Sequence, residues 1–326
     1  MFGELPKLFD RDFIIAFFLP AAIFLLTSFA LVADFGLFPA LTPLLKEDIL
    51  KGSTILGIAA WLGGVFLMVM NYSIHRLLEG YGDYNPLGLL LPLKKRAYWK
   101  LQDKIDRIQE EIKTSRSIHD EDQLSKLGAK RDRLRIEEAE RYPKKWHRLL
   151  PTAFGNAVRA FEDYPEQMYG VDAIVSWVRI NVLVPDEFLQ MLNAAKAQTD
   201  FWLNLWLLSF LLLFEYLLIA ITALEIKMPW FPFVVAALIY LSAVKAASAA
   251  IQWGDFVKAA YDLYLPDLRD KLRLPPTADP DEEKELWNKV ARQFIYHKAG
   301  NVIHRAPTLS QTAPQPKTNN LPAKEN

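Results

Sequence analysis

Apolar residues along this chain gather into four long blocks separated by polar segments. The blocks at 13–33 and 52–74 contain no formal charge, the block at 201–224 holds Glu215 alone, and the block at 228–253 holds Lys245 alone. A helix crosses the hydrocarbon core with ~20 residues at ~1.5 Å rise each, and every block is that long. The pattern predicts an all-α membrane protein with four transmembrane helices over those ranges. A cleaved leader is the competing reading of the first block, because Ser28-Phe29-Ala30 places small residues at cleavage spacing. Glu4, Asp10 and Asp12 beside the few basic residues argue against it. So does an apolar stretch longer than the ~7–15 residues of a signal-peptide core.

The polar chain between the blocks has its own periodicity. Residues 94–141 are charge-rich, and Leu101, Ile105, Ile108 and Ile112 step by four, three and four, a coiled-coil-like seam. Ser117, His119 and Asp120 supply a turn, after which Leu124, Leu127 and Leu134 resume the pattern. An antiparallel helical hairpin follows, with its seam open to pairing within the chain, with a partner or with a second copy. Over 152–182 two short amphipathic helices are expected. Phe154, Val158 and Phe161 stripe the first, which Tyr164-Pro165 should end; Gly170 and Asp172 punctuate before a second carrying Ile174, Val175 and Val178. Pro185-Asp186-Glu187 opens a helix over 185–200 that can run unbroken into the third span. Beyond the fourth span the 254–299 segment reads as helical, with a break at Pro266 and a new start at Asp279-Pro280. The 300–326 tail is rich in Pro, Gln, Asn, Thr and Lys and is expected to be disordered.

Basic residues near the span ends orient the chain. Arg76, Lys94, Lys95, Arg96 and Lys100 follow the second span, Lys258, Arg269, Lys271 and Arg273 follow the fourth, and Lys7 and Arg11 precede the first. The 34–51 loop and the 225–227 turn are poor in them. Residues 1–12, 75–200 and everything after 253 are therefore expected in the cytoplasm, with 34–51 and 225–227 external. Trp202, Trp206, Trp230 and Trp253 suit interfacial anchors. Small residues four apart, Ala59/Gly63 and Ala60/Gly64, and a run from Ser242 to Ala250 predict close helix packing. Pro20 is expected to kink the first span.

Charge inside an apolar block is costly, ~2.5–3.5 kcal/mol on insertion scales, so Glu215 calls for a partner. Spans three and four form an antiparallel pair across a short turn. Counting from Lys227 leaves Glu215 and Lys245 offset by six residues, ~9 Å along the helix axis, with side chains leaning toward each other. Tyr240 lies level with Glu215 and offers a hydroxyl instead.

Composition narrows the function classes. Lys plus Arg and Asp plus Glu are equal at 38 each, which argues against a nucleic-acid partner. The chain has no cysteine, excluding disulfides, thiolate nucleophiles and Cys-ligated metals. No phosphate-cradling glycine loop and no nucleophile-elbow serine occurs, and the five histidines show no metal-ligand spacing. Glu79 and Asp83 are four apart at the exit of span two, but Gly80, Gly82, Asn85 and Pro86 make the same stretch a turn. In the cytoplasmic segment Arg159 can pair with Glu162 or Asp163, and Arg179 with Asp172. These are either ion pairs fixing two helices or a cytoplasmic ligand or partner site built from Arg159, Glu162, Asp172 and Arg179.

Gly155-Asn156, Arg159-Ala160, Glu162, Tyr164-Pro165, Tyr169-Gly170-Val171-Asp172-Ala173, Trp177 and Arg179 resemble a family of uncharacterised bacterial four-span integral membrane proteins. The 261–287 stretch resembles the same family's segment after its last span. Val178 stands where that family often has proline. The resemblance implies a multi-pass protein of the bacterial inner membrane, with both termini cytoplasmic. It brings no activity, cofactor or catalytic residue. The leading expectation is a non-enzymatic anchor, scaffold or signalling subunit acting through its cytoplasmic helices. The alternative is an oligomeric ion channel or transporter subunit using Glu215 and Lys245. The partners either reading allows are the lipid bilayer, further copies of the chain and a cytoplasmic protein, without nucleic acid and without a cofactor.

Overall fold

The computed structural model describes residues 10–37, 49–82, 85–118 and 120–296. Expectations for the extreme N-terminus, most of the 34–51 loop, Asp83, His119 and the 300–326 tail lie outside these residues. The described residues form helices and no strand. Four helices are long and apolar enough to cross a membrane. They are α1 (Arg11–Phe35), α2 (Ile49–Glu79), α7 (Asp186–Ala223) and α8 (Phe231–Lys271). Between α2 and α7 stand α3 (Leu91–Ile118), α4 (Glu121–Arg141), α5 (Ala153–Tyr169) and α6 (Ala173–Leu183); α9 (Pro280–Tyr296) follows α8. This is the architecture of a multi-pass membrane protein.

The long helices close on one another where the sequence supplies small side chains. A Cβ on Gly64 would lie 3.1 Å from the Phe18 backbone, and one on Gly63 would lie 3.3 Å from Ala21 Cβ, so α2 runs against the main chain of α1. On α8, which packs against α7, Ser242, Ala246, Ala249 and Ala250 are buried. The predicted small-residue spacing thus serves packing within the chain.

Pro20 acts differently from a simple kink. A π-helical segment, Ile14–Phe18, precedes it. Proline has no N–H for the carbonyl four residues back; that carbonyl, of Ala16, accepts from the fully buried Asn204 Nδ2 at 2.8 Å. Asn204 thereby joins α7 to α1 through the carbonyl that Pro20 leaves without its usual α-helical donor.

Two other prolines fail to end their helices. Tyr164-Pro165 was expected to stop α5, and Pro266 to break the helix after span four. Yet Pro165 lies inside α5 and Pro266 inside α8. Tertiary contacts override the local penalty of ~3 kcal/mol. Tyr164 and Tyr169, on either side of Pro165, both donate to Asp262 Oδ1 of α8, at 2.9 and 2.7 Å. Leu265 and Leu268 flank Pro266 and are buried. Helix α5 runs on past the expected stop to Gly170, which caps it in the left-handed conformation at φ 72°. Asp172 then caps α6, accepting from Val175 N at 3.0 Å.

The α3–α4 hairpin pairs within the chain. Leu101, Ile105, Ile108 and Leu127 are buried along its seam, and Gln102 Nε2 donates to Glu138 across it at 2.6 Å. Asp120 caps the second arm by accepting from Gln123 N. The two short helices that follow share an amphipathic pattern but differ in burial. Helix α5 is a core element, with Phe154, Asn156, Ala157, Val158 and Phe161 buried. Helix α6 turns Ser176 and Ile180 inward and leaves Ile174, Val178 and Val182 exposed. Helix α9 starts after Asp279 as predicted, and its Trp287 and Val290 are buried against α5 and α6.

Candidate functional site

Where α2, α5, α7 and α8 converge, polar side chains meet that the hydropathy pattern keeps apart. Thr152 begins the junction. Its hydroxyl caps α5 by accepting from Gly155 N at 2.8 Å and donates to the Leu78 carbonyl at 2.7 Å, so the end of α2 is sewn to the start of α5. Asn156 closes the 150–156 loop, donating to the Leu150 and Thr152 carbonyls at 2.7 Å each.

Beside that seam His75 stands between two carboxylates. Its Nε2 lies 2.6 Å from Asp200 Oδ1 and its Nδ1 lies 3.7 Å from Glu79 Oε1. Lys196 Nζ reaches the other Asp200 oxygen at 2.7 Å, and Asn71 Nδ2 reaches it at 3.4 Å. Asp200 is only 3% exposed, which an ionised carboxylate tolerates only with paired charges and hydrogen bonds. The rings of Phe154 and Trp253 pack edge-on against His75, with centroids 5.5 and 6.4 Å away.

A cavity of about 460 Å³ opens next to this cluster, with Arg76, Glu79, Tyr81, Arg159, Glu162 and Lys196 among the side chains that line it. The guanidinium carbons of Arg76 and Arg159 lie 4.4 and 5.0 Å from the centroid of one ring, that of Tyr81. A second cavity, of about 310 Å³, is lined by Asp10, Asp12, Asn193, Lys196 and Asp200. Lys196 thus borders both. Among the described residues no group of three His, Asp or Glu side chains is disposed to hold a metal ion.

Burial pushes the Glu162 carboxyl up to about 7, with Glu79 and Asp163 adding to the rise and Arg159 and Arg148 opposing it. A carboxyl that holds its proton more tightly folded than unfolded stabilises the fold below the unfolded value of 4.5. That contribution is lost as pH rises through about 7. Melting of wild type and Glu162→Gln in detergent should therefore diverge as pH is raised from ~5 to ~8, with the wild type losing ground. Parallel pH profiles would show that Glu162 is not held in this way.

The residues expected to form sites are dispersed differently. Arg159 and Glu162 share the cavity, with Nη1 and Oε2 3.5 Å apart. Asp163 pairs instead with Arg148 at 2.7 Å. Arg179 and Asp172 do not pair: Arg179 donates to the Val175 carbonyl at 2.6 Å and lies 3.6 Å from the Phe294 ring centroid, while Asp172 caps α6. They hold α6 in place and do not line the cavity.

Glu215 also differs from expectation. Ser28 Oγ of α1 donates to Glu215 Oε1 at 2.6 Å, whereas Lys245 and Tyr240 are exposed on α8 and make no hydrogen bond or ion pair with it. A residue count along α7 and α8 carries no information on rotation about either axis. The third helix supplies the partner. The cavity residues that periodicity overlooked, His75, Arg76, Tyr81, Lys196 and Asp200, did leave one signal. Both His75/Glu79 and Lys196/Asp200 are spaced by four at the same-side ends of two apolar blocks.

No protein-family model, no curated protein and no solved structure matches the chain.

Proposed function

We propose that the chain is a non-enzymatic anchor, scaffold or signalling subunit of the bacterial inner membrane, and that the α3–α4 hairpin is its docking element in the cytoplasm. The observation that carries this reading is how the hairpin is built. Its apolar seam is buried within the chain, its outer faces carry charges of both signs, and its principal contact with the remaining helices is α4 on α5. A long projection that does not hold the spans together is available for an encounter. At its base Trp99 and Trp146 are exposed, with ring centroids 6.3 Å apart, beside the basic run of Lys94, Lys95, Arg96 and Lys100. That composition suits the cytoplasmic bilayer surface.

The absence of cysteine makes the test clean. A single cysteine in place of Gly128, where an added side chain meets open space, should react with impermeant maleimide only after the inner membrane is opened. Removal of 94–141 should leave membrane insertion intact and abolish cross-links formed from the hairpin in the native host. Labelling of intact spheroplasts, or an unchanged cross-link pattern after the deletion, would sink the proposal.

A further inference from the structure

We propose that the cavity at the foot of α2 binds a phosphate-bearing anion, gripped by the guanidinium groups of Arg76 and Arg159 with Lys196 and Trp253 completing its wall. The site is independent of the hairpin. Two guanidinium carbons lie 4.4 and 5.0 Å from the centroid of the single Tyr81 ring, so two like charges border one cavity within roughly 10 Å of each other, a repulsion that a shared anion relieves. Arg76 makes no ion pair among the described residues. Arg159 has one, with Glu162 at 3.5 Å, and its buried Nε–H meets no acceptor among the described residues. Trp253, on the same cavity wall, likewise has a buried Nε1–H without an acceptor among the described residues. The two carboxylates lining the cavity are already engaged, Glu79 with His75 and Glu162 with Arg159.

The donor set selects the ligand class. Planar guanidinium forks match phosphate oxygens in pairs, and a phosphate group can accept from several converging donors where a carboxylate offers only two oxygens. The space, about 460 Å³, exceeds what a bare ion fills and leaves room for an attached organic group. Its outer wall carries Tyr72 and Ile174, which are 77% and 74% exposed. Tyr72 lies within an apolar span, so the cavity borders the side where lipid runs. A phospholipid headgroup entering from the bilayer and a soluble phosphate ester entering from the aqueous side present the same chemistry to the two arginines.

The experiment uses the full chain, delipidated in neutral maltoside detergent. Phosphatidylglycerol, glycerol 1-phosphate and, as the uncharged control, diacylglycerol are titrated separately, read by melting temperature and by native mass spectrometry. Wild type should be stabilised by phosphatidylglycerol and not by diacylglycerol, and Arg76→Gln and Arg159→Gln should each weaken that binding about tenfold or more, as expected for loss of a charge-assisted contact. A response to phosphatidylglycerol alone identifies a lipid source; a response to glycerol 1-phosphate as well identifies the phosphate ester as sufficient. Arg76 is exposed, so its variant carries the test if Arg159→Gln does not fold. Failure of both phosphate ligands to bind, or binding by Arg76→Gln equal to that of wild type, overturns the proposal.

Discussion

Alanine at Gly155 should destabilise the protein by roughly 3 kcal/mol, at the upper end of what overpacking costs. The added Cβ would meet the Glu79 carbonyl oxygen far inside van der Waals contact, with the Glu79 carbonyl carbon and Cα both at 2.9 Å. All three are backbone atoms at the end of α2, so no side chain can rotate away. The main chain there is fixed as well, because Thr152 binds the Leu78 carbonyl one residue earlier. Relief requires α2 and α5 to separate, which opens the junction that holds His75 and the cavity. Gly128 is the matched control. It lies in α4 with nothing within 4 Å of an added Cβ, so Gly128→Ala should stabilise the fold by up to ~1 kcal/mol through helix propensity. Thermal melting in detergent decides the matter, and a Gly155→Ala protein as stable as wild type would mean that the two helices do not meet so closely.

Asp200→Ala should cost about 3–5 kcal/mol, the range for removing one partner of a buried ion pair. The loss would come from what remains, since Lys196 and His75 would both face a site without their carboxylate. Replacing the whole cluster is predicted to behave in the opposite sense. The triple change Asp200→Leu, Lys196→Met and His75→Phe removes both charges that would face the lost carboxylate, leaves only Glu79 without its more distant contact to His75, and puts a ring where Phe154 and Trp253 already pack. It should recover most of the stability lost in the single variant. Denaturant titration of the single and triple variants compares them directly. If the triple variant is less stable than Asp200→Ala, the cluster does not act as a unit.

The contrast between spans and site shows what a sequence can disclose. Hydropathy locates all four long helices because each registers within its own ~20 residues. Caps are equally local, and Asp172 and Asp279 can be read within a few positions. Pro165 and Pro266 mislead because their penalty is local while the compensation is distant: Tyr164 and Tyr169 find Asp262 more than ninety residues away. The site is harder still. His75 and Asp200 are 125 residues apart, and Glu215 meets Ser28 across 187. Periodicity places a side chain on a face of its own helix but does not say which helix that face will meet. Arg159 and Glu162 were within reach because they share a helix and a cavity wall; Arg179 was not, because its partner is a ring on α9.

Helices α7 and α8 are unbroken over 38 and 41 residues, so each is a rod ~60 Å long at ~1.5 Å per residue. Tyr216 donating to the Lys227 carbonyl at 2.8 Å and Lys227 donating to the Asp34 carbonyl at 3.1 Å tie the turn between them to α7 and to α1. A lever of that length pivoting by ~5° at the tied end sweeps its other end through ~5 Å. The swept end carries Asp262, the clamp on α5, and so bears on the cavity wall. Transmembrane helices accommodate a thinner or thicker bilayer chiefly by changing tilt. A change of tilt in α8 would therefore reach the cavity wall through Asp262, carrying α5 together with the end of α2 to which Thr152 sews it.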